Sequence, residues 1–469
     1  MGRFLIVSYN YGPTLEIGAR RVGSIADHLV AAGHAVDIIF WPDQPFMKSS
    51  GQSLPSRIGL TLFPIEDPRG ATIRRLVNCK QIVRRAFKRL FGRNGSNGQA
   101  NGVAAGTAGT DDTSWFGRVL DWLRNRVAGL IFLLDGRKRW AYRAARCGVR
   151  LAREQHYDCV LSSGPPNVSC LVATWIGARS GVPSVIDLRD PWNTNSLVPT
   201  RAPFPLWLDE VAERWCMRRA ALLTFASPGI MRRVSARFPA YVSKMHVVLN
   251  GFDPEDCLTA PAPTGRMNLL YAGSLYLNRN PFPLLESLAR LIEAGRIDRQ
   301  LVSFTFVGDC GSWSGVEVRP WCANIGLNDV VQILPPVSRA ELRRYKESAN
   351  VLVNFAQGQV DQIPAKTYEM IAAARQLLVL TEPNSDTATI LRAAQLRGVV
   401  SGQDPADLDD AILAIYETVV LKPTPGVAAS PTMAEFSRER QNAAWGELLA
   451  RASVPARVAR PLENEASHG

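Results

Sequence analysis

Twelve short runs rich in β-branched and aromatic residues, most followed by a helical pattern, constrain this chain more than any other feature. RFLIVSY, AVDIIF, YDCVLSS, PSVIDL, LLTFAS and MHVVLN occupy the first half, and MNLLYAG, SFTFVGD, VVQILP, VLVNFA, LLVLTE and the weaker RGVVSG the second. Strands alternating with helices dictate parallel sheets covered on both faces. The helical segments fit this: ARRVGSIADHLVAAGH has apolar residues at 19, 22, 25, 26, 29 and 30, and FPLLESLARLIEAG at 284, 285, 288, 291 and 292. The Pro-rich connector DPEDCLTAPAPTGR, residues 253–266, separates the two sets. The expectation is an α/β chain of two doubly wound, parallel-sheet domains, 1–255 and 266–430, facing across a cleft. A final helix over 431–453 is expected to pack back across the boundary, followed by a disordered tail, 454–469.

A length of 469 residues suits two cores, and 46% hydrophobic with 20% charged residues marks a soluble globular protein. Eight cysteines without a CxxC fit a reducing cytoplasm. MGRFLIVSYN does not read as a secretory signal, and no run of 18 apolar residues occurs, so no membrane span is expected.

The net charge of +12 is unevenly placed: residues 1–150 hold 23 Lys/Arg against 10 Asp/Glu. Its centre is an insertion over about 69–140, where ATIRRLVNCKQIVRRAFKRLFGR carries Arg74, Arg75, Arg84, Arg85, Lys88 and Arg89 beside an apolar stripe. Such a helix suits an anionic lipid headgroup layer; the bland alternative is a helix packed on its own domain with a solvated charged face. Nucleic acid is not expected, because no aromatic platforms are interleaved. Residues 92–114, poor in apolar bulk, read as a disordered loop, and WFGRVLDWLRNRVAGLIFLLDGRKRW as a second lipid-facing candidate.

Neither GxGxxG followed by an acidic residue after the first strand, nor GxxxxGK[ST], nor HExxH occurs, and there are only five histidines. Nicotinamide, P-loop and metal chemistry therefore have little support. What does occur suits a diphosphate. Gly18 opens a helix after the first strand, and Gly273, Ser274 and Arg279 form a turn after the seventh. Arginine there suits phosphate oxygens. In DQIPAKTYEM, Lys366 and Glu369 share one face of a helix opened by Pro364. On spacing alone they are a surface ion pair.

These pieces occur in the order of a known family. IGARRVGSIADHLVAAGHAVDII, SSGPPNVSCLVATWIGARSGVPSVIDLRDPW, VVLNGFD, LLYAGSL, FVGDCG, VVQILPPVSRAELRRYKESANVLVNF and IPAKTYEMIAAARQLLVL resemble a family 4 glycosyltransferase of the GT-B fold, whose two domains are Rossmann-like. SSGPPN and DLRDPW resemble its bacterial polysaccharide-biosynthesis branch.

The resemblance implies a retaining, metal-independent, hexosyltransferase-like enzyme without a cofactor. It would move a sugar from a UDP- or GDP-sugar to a bacterial glycan, in exopolysaccharide, O-antigen or capsule synthesis, and lipid docking by the basic insertion would make the acceptor a lipid-linked saccharide at the anionic inner-membrane surface. The enzyme would be cytoplasmic and peripheral on that membrane. The family's two acidic residues, eight apart, fall on Asp361 and Glu369. Glu369 would bind the ribose hydroxyls, Asp361 would stand near the donor sugar, and Lys366 and Arg279 would clamp the diphosphate. Gly18, Gly273, Ser274, Gly308, Pro336, Val337, Ile363 and Pro364 complete the implied donor site. Arg20, with the basic residues of the insertion, is assigned to the acceptor or membrane side. Asp361 is one methylene shorter than the family's glutamate, and Ser274 stands where many relatives carry arginine. Asp190 is either a general base or the ion-pair partner of Arg189. The rival readings are a nucleotide-sugar epimerase of the same architecture and a non-catalytic membrane-binding scaffold.

Overall fold

A computed structural model describes residues 1–12, 17–42, 57–66, 137–193, 203–259, 264–373, 375–400, 404–423 and 431–453. The basic residues Arg74, Arg75, Arg84, Arg85, Lys88 and Arg89, the 92–114 loop, most of the second lipid-facing candidate and the 454–469 tail lie outside them.

The first sheet has seven strands in the order β3-β2-β1-β4-β5-β6-β7, all parallel: β1 Arg3–Val7, β2 Ala35–Phe40, β3 Leu60–Pro64, β4 Cys159–Gly164, β5 Ser184–Leu188, β6 Leu222–Phe225 and β7 Met245–Val247. Its central strands are buried along their length, which is why they read as apolar runs rather than alternations. One face is covered by α1 (Ile17–Ala31), whose Val22, Ile25, Ala26 and Leu29 pack on the sheet. The other carries α2 (Lys138–Glu154), α3 (Val168–Ser180), α4 (Pro203–Arg219) and α5 (Pro228–Arg237).

The second sheet has six parallel strands in the order β12-β9-β8-β13-β14-β15: β8 Met267–Ala272, β9 Val302–Val307, β12 Val331–Leu334, β13 Val351–Phe355, β14 Gln376–Leu380 and β15 Val399–Val400. Between β9 and β12 lie a two-residue hairpin, β10 Ser312–Trp313 and β11 Val316–Glu317, and helix α7 (Val318–Asn324). Helices α6 (Phe282–Glu293), α7 and α11 (Pro405–Tyr416) cover one face. The other carries α8 (Arg339–Ser348), α9 (Ala365–Ala372) and α10 (Asp386–Ala393).

Both sheets reverse strand order next to their first strand, so each has its switch point, where open α/β sheets bind ligands, at the carboxyl ends of a central strand pair. After the short α12 (Pro431–Ala434) the chain returns to the first domain as α13 (Arg438–Ser453), placing Trp445, Leu448, Leu449 and Ala452 against α1. Where the chain crosses, the Phe252 amide donates to the Phe436 carbonyl at 3.0 Å and Arg438 donates to the Phe252 carbonyl at 2.7 Å. Buried Arg21 fixes the same crossing, donating to both Asp187 oxygens at 2.9 Å and to the Val248 and Leu249 carbonyls at 2.7 Å.

Candidate active site between the two sheets

The turn after β8 and the start of α9 meet at the switch point of the second sheet. Gly273 has φ of +153°, and a Cβ on it would lie 2.4 Å from Lys366 Nζ. Gly308, with φ of +128°, backs onto it: a Cβ there would lie 2.1 Å from the Gly273 carbonyl oxygen. Both glycines are required by close approach as well as by backbone conformation.

The Lys366 ammonium enters the space Gly273 leaves. It donates to the Ala272 carbonyl at 2.9 Å and stands 4.1 Å from the centre of the Tyr271 ring. Burial, then the nearby Arg279, push its pKa down to about 7. Arg279 lies with its Cζ 4.2 Å over the Tyr276 ring, and its Nη1 donates to the Ser274 carbonyl at 3.4 Å. Its Nε is buried without a hydrogen-bond partner among the described residues. Neither cation has a carboxylate within ion-pair distance among those residues. Two cations and the free N–H groups of a helix start therefore converge with no anion between them.

Glu369, one turn along α9, does not pair with Lys366. Its Oε2 is 2.7 Å from Lys346 Nζ of α8 and its Oε1 3.6 Å from Arg20 Nη1 of α1, so the carboxylate faces the cleft between the domains. Burial raises its pKa, but Lys346, Arg20 and Lys366 outweigh burial and hold it below the ordinary glutamate value. Arg20 also grips Asp253 in the crossing segment. It belongs to the cleft, not to an outward-facing surface.

Asp361 turns the other way. Arg233 of α5 holds its carboxylate through Nε at 2.8 Å and through Nη2, and Ser227 donates to its main-chain carbonyl. A cavity of about 260 Å³ lies beyond it, lined from the first domain by Arg189, Asp190, Ser227 and Asn250 and from the second by Tyr276, Arg279, Gln359, Gln362, Ile363 and Pro364. Asp190 accepts from Gln362 Nε2 at 2.7 Å across this cavity. Burial raises its pKa against the lowering influence of Arg189 and Gln362. Arg189 does not pair with it: its guanidinium donates to the Pro165 carbonyl and fills the space before Gly18, where a Cβ would lie 2.3 Å from Nη1. The opening at Gly18 is thus occupied by an arginine. Ile363 is buried under α9, while Pro336 is exposed and Val337 half-buried in the loop leading to α8.

Lys346, Gln362 and Arg233 escaped the sequence reading. Lys346 carried one signal, since Ser338 and Glu341 form a capping box that fixes where α8 starts and hence which face Lys346 presents. Among the described residues no group of three His, Cys, Asp or Glu side chains is placed to hold a metal, and no helix is long and apolar enough to cross a membrane.

The family model for a glycosyl transferase 4-like domain matches residues 18–251, the first sheet from its opening helix to the crossing segment. The chain belongs to the family 4-like glycosyltransferases of the GT-B fold. Solved structures show the same two-domain architecture over nearly the whole glycosyltransferase. Sucrose-phosphate synthase from Thermosynechococcus elongatus superposes with a TM-score of 0.55 at 12% identity, covering 96% of this chain and 99% of that one. HepE from Anabaena, in complex with UDP, gives 0.53 at 12% identity over 96% and 100%. A glycosyltransferase from Rickettsia africae gives 0.58 at 10% identity over 96% and 98%. At these identities the likeness is one of fold. No curated protein sequence matches this glycosyltransferase significantly.

Proposed function

We propose that this glycosyltransferase moves a hexose, with retention at the anomeric carbon, from a nucleotide-diphosphate sugar to a lipid-linked glycan of bacterial polysaccharide synthesis. The observation that carries the reading is the pair Lys366 and Arg279, two cations at the start of α9 without a carboxylate partner among the described residues, one turn from the cleft-facing carboxylate of Glu369. A diphosphate would neutralise both cations and accept from the N–H groups of Ala365 and Lys366, and Glu369 would accept from the two ribose hydroxyls. HepE structures holding UDP and UDP-glucose support a uridine donor in this architecture, with GDP-sugars as the second choice.

The chemistry then rests on charge stabilisation. As the glycosidic C–O bond to the diphosphate breaks, negative charge grows where Lys366, Arg279 and the helix N–H groups already point. The departing phosphate oxygen takes the proton of the attacking acceptor hydroxyl on the same face, which gives retention. Asp190 and Gln362, joined across the cavity, would hold the sugar and the incoming hydroxyl. These protein cations supply the positive charge the leaving group requires, so transfer is expected to persist with EDTA.

The acceptor side rests on a groove of about 1050 Å³ between α2, α3 and α4. Ile65, Leu171 and Val172 line it with Arg146, Arg150, Arg153 and Arg179, and Tyr142 and Trp175 stand exposed beside them. Aromatic and cationic residues around an apolar floor suit an anionic lipid interface, as does the basic insertion. The test has two arms. Thermal stabilisation against UDP-, GDP-, ADP- and TDP-sugars is expected for one donor class and lost in Glu369→Ala. Cosedimentation should favour anionic over neutral vesicles. No stabilisation by any donor would overturn the transfer reading, and equal sedimentation would overturn the membrane one.

A further inference from the structure

Helix α5 reaches from the first domain into the second with four groups in a row. Ser227, its cap, accepts from the Ile230 amide at 3.2 Å and donates to the Asp361 carbonyl. The Gly229 amide donates to Asp386 Oδ2, and Arg232 Nη2 lies 2.9 Å from Asp386 Oδ1. Arg233 takes the Asp361 carboxylate. The fit is close at backbone level: a Cβ on Gly229 would stand 2.6 Å from Asp361 Cα and 2.7 Å from Asp386 Oδ2.

On the receiving side, Asp386 is the first residue of α10, and its amide donates to the Val360 carbonyl at 2.8 Å, tying that helix to the loop 357–363. The same loop carries Gln359 and Gln362 into the cavity. A grip on Asp361 and Asp386 therefore sets where the cavity-lining amides stand relative to Asp190.

We infer that Arg232 and Arg233 of α5 form an interdomain latch with Asp386 and Asp361, and that Asp361 is a positioning residue for closure rather than a contact of the donor sugar. The physical case has two parts. Asp361 gives Oδ2 to two N–H groups of the Arg233 guanidinium while its Oδ1 lies against Gly229, where a Cβ would stand 2.7 Å away, so the carboxylate is turned into the contact between the domains. The cavity, about 260 Å³, is smaller than the roughly 300–1,000 Å³ of pockets that take drug-sized ligands, so room for a nucleotide sugar and an acceptor together is expected when the domains part. The carboxylates are the sheltered partners, with side chains 18% exposed for Asp361 and 3% for Asp386, against 38% and 58% for Arg233 and Arg232. Opening returns the arginines to water at modest cost and exposes two carboxylates that closure must recapture.

The inference rests on the transfer reading for its kinetic arm only; the conformational arm stands without it. The experiment uses the full chain as wild type, Arg232→Ala/Arg233→Ala, Gly229→Ala and Asp361→Asn. Gly229→Ala keeps every charge and only spoils the fit, so it separates wedging from charge loss. Small-angle scattering is expected to give a larger radius of gyration for the double variant and for Gly229→Ala. With a working donor, turnover falls about tenfold in both while the Kd for UDP changes by less than about threefold, the signature of a lost closed population rather than a lost binding site. Exchanging the pair, Arg233→Asp with Asp361→Arg, is expected to restore part of the turnover. Unchanged scattering in both α5 variants would overturn the latch. So would Asp361→Asn raising the donor KM with scattering unchanged, which would return that carboxylate to the sugar. A chain that transfers no sugar at all but opens in the α5 variants would refute the proposed reaction and leave the latch standing.

Discussion

The Glu369 carboxylate lies 2.7 Å from the Lys346 ammonium, a contact between two helices 23 residues apart in sequence. It leaves one carboxylate oxygen toward the cleft and Arg20, the side from which a ribose would approach. Replacing Glu369 with Gln leaves Lys346 without its counter-charge and removes an acceptor for two hydroxyls. The Kd for UDP, measured by titration calorimetry, is expected to rise about 10- to 100-fold, the size of a lost charged hydrogen bond. An unchanged Kd would place the ribose elsewhere.

Lys366 provides a pH test whose sign is fixed by its surroundings. Burial and Arg279 hold its pKa near 7 in the free protein. A bound diphosphate would raise it, because the charged form gains a counter-ion. Below pH 7 the lysine is already protonated and binding needs no proton. Above pH 7 binding must take one up, so affinity falls as pH rises, by at most about tenfold per unit. Calorimetry at pH 8 in two buffers of different ionisation enthalpy is expected to show uptake approaching one proton. Lys366→Met should abolish that uptake.

The fold was legible because parallel strands buried on both faces leave continuous apolar runs that a sequence displays directly. The strands that escaped are those lacking such a run. β3 sits at a sheet edge with no fully buried residue, and β10 and β11 have two residues each. The site was legible in part. Spacing placed Lys366 and Glu369 on one helical face, yet Lys366 turns back to the Ala272 carbonyl and Glu369 finds Lys346. Local spacing states which side chains leave the same face; it does not state which distant helix supplies the better partner. The grip of Arg233 on Asp361, 128 residues apart, is invisible for the same reason.

Gly308→Ala tests the back-to-back glycines. The new Cβ would meet the Gly273 carbonyl oxygen at 2.1 Å, a main-chain atom that cannot rotate away, and φ of +128° is itself unfavourable for alanine. Destabilisation of about 2–4 kcal/mol is expected, read as a lower midpoint in urea. A change within about 0.5 kcal/mol would show that the turn relaxes freely.

Trp445 tests the returning helix. It is 1% exposed, packed on α1 with the Arg21 guanidinium 5.5 Å from its ring centre. Trp445→Ala is expected to cost about 3–5 kcal/mol, as for other large core truncations. The loss should appear in the unfolding of the first domain, because α13 covers that sheet although it follows the second in sequence.

Asp190 and its partner Gln362 decide between a base and a positioning carboxylate. A general base contributes about 10²–10⁴ in rate, whereas a group that only orients a hydroxyl contributes less. Asp190 spends Oδ1 on the Gln362 amide, which holds the carboxylate across the cavity. In the proposed reaction the proton of the incoming hydroxyl goes to the departing phosphate. Asp190→Asn keeps the shape and one acceptor oxygen, and turnover is expected to fall by no more than about tenfold, with the pH dependence of kcat unchanged on its acid side. A loss beyond about a hundredfold together with a vanished acid limb would make Asp190 the base. The departing phosphate would then no longer be needed to carry the proton.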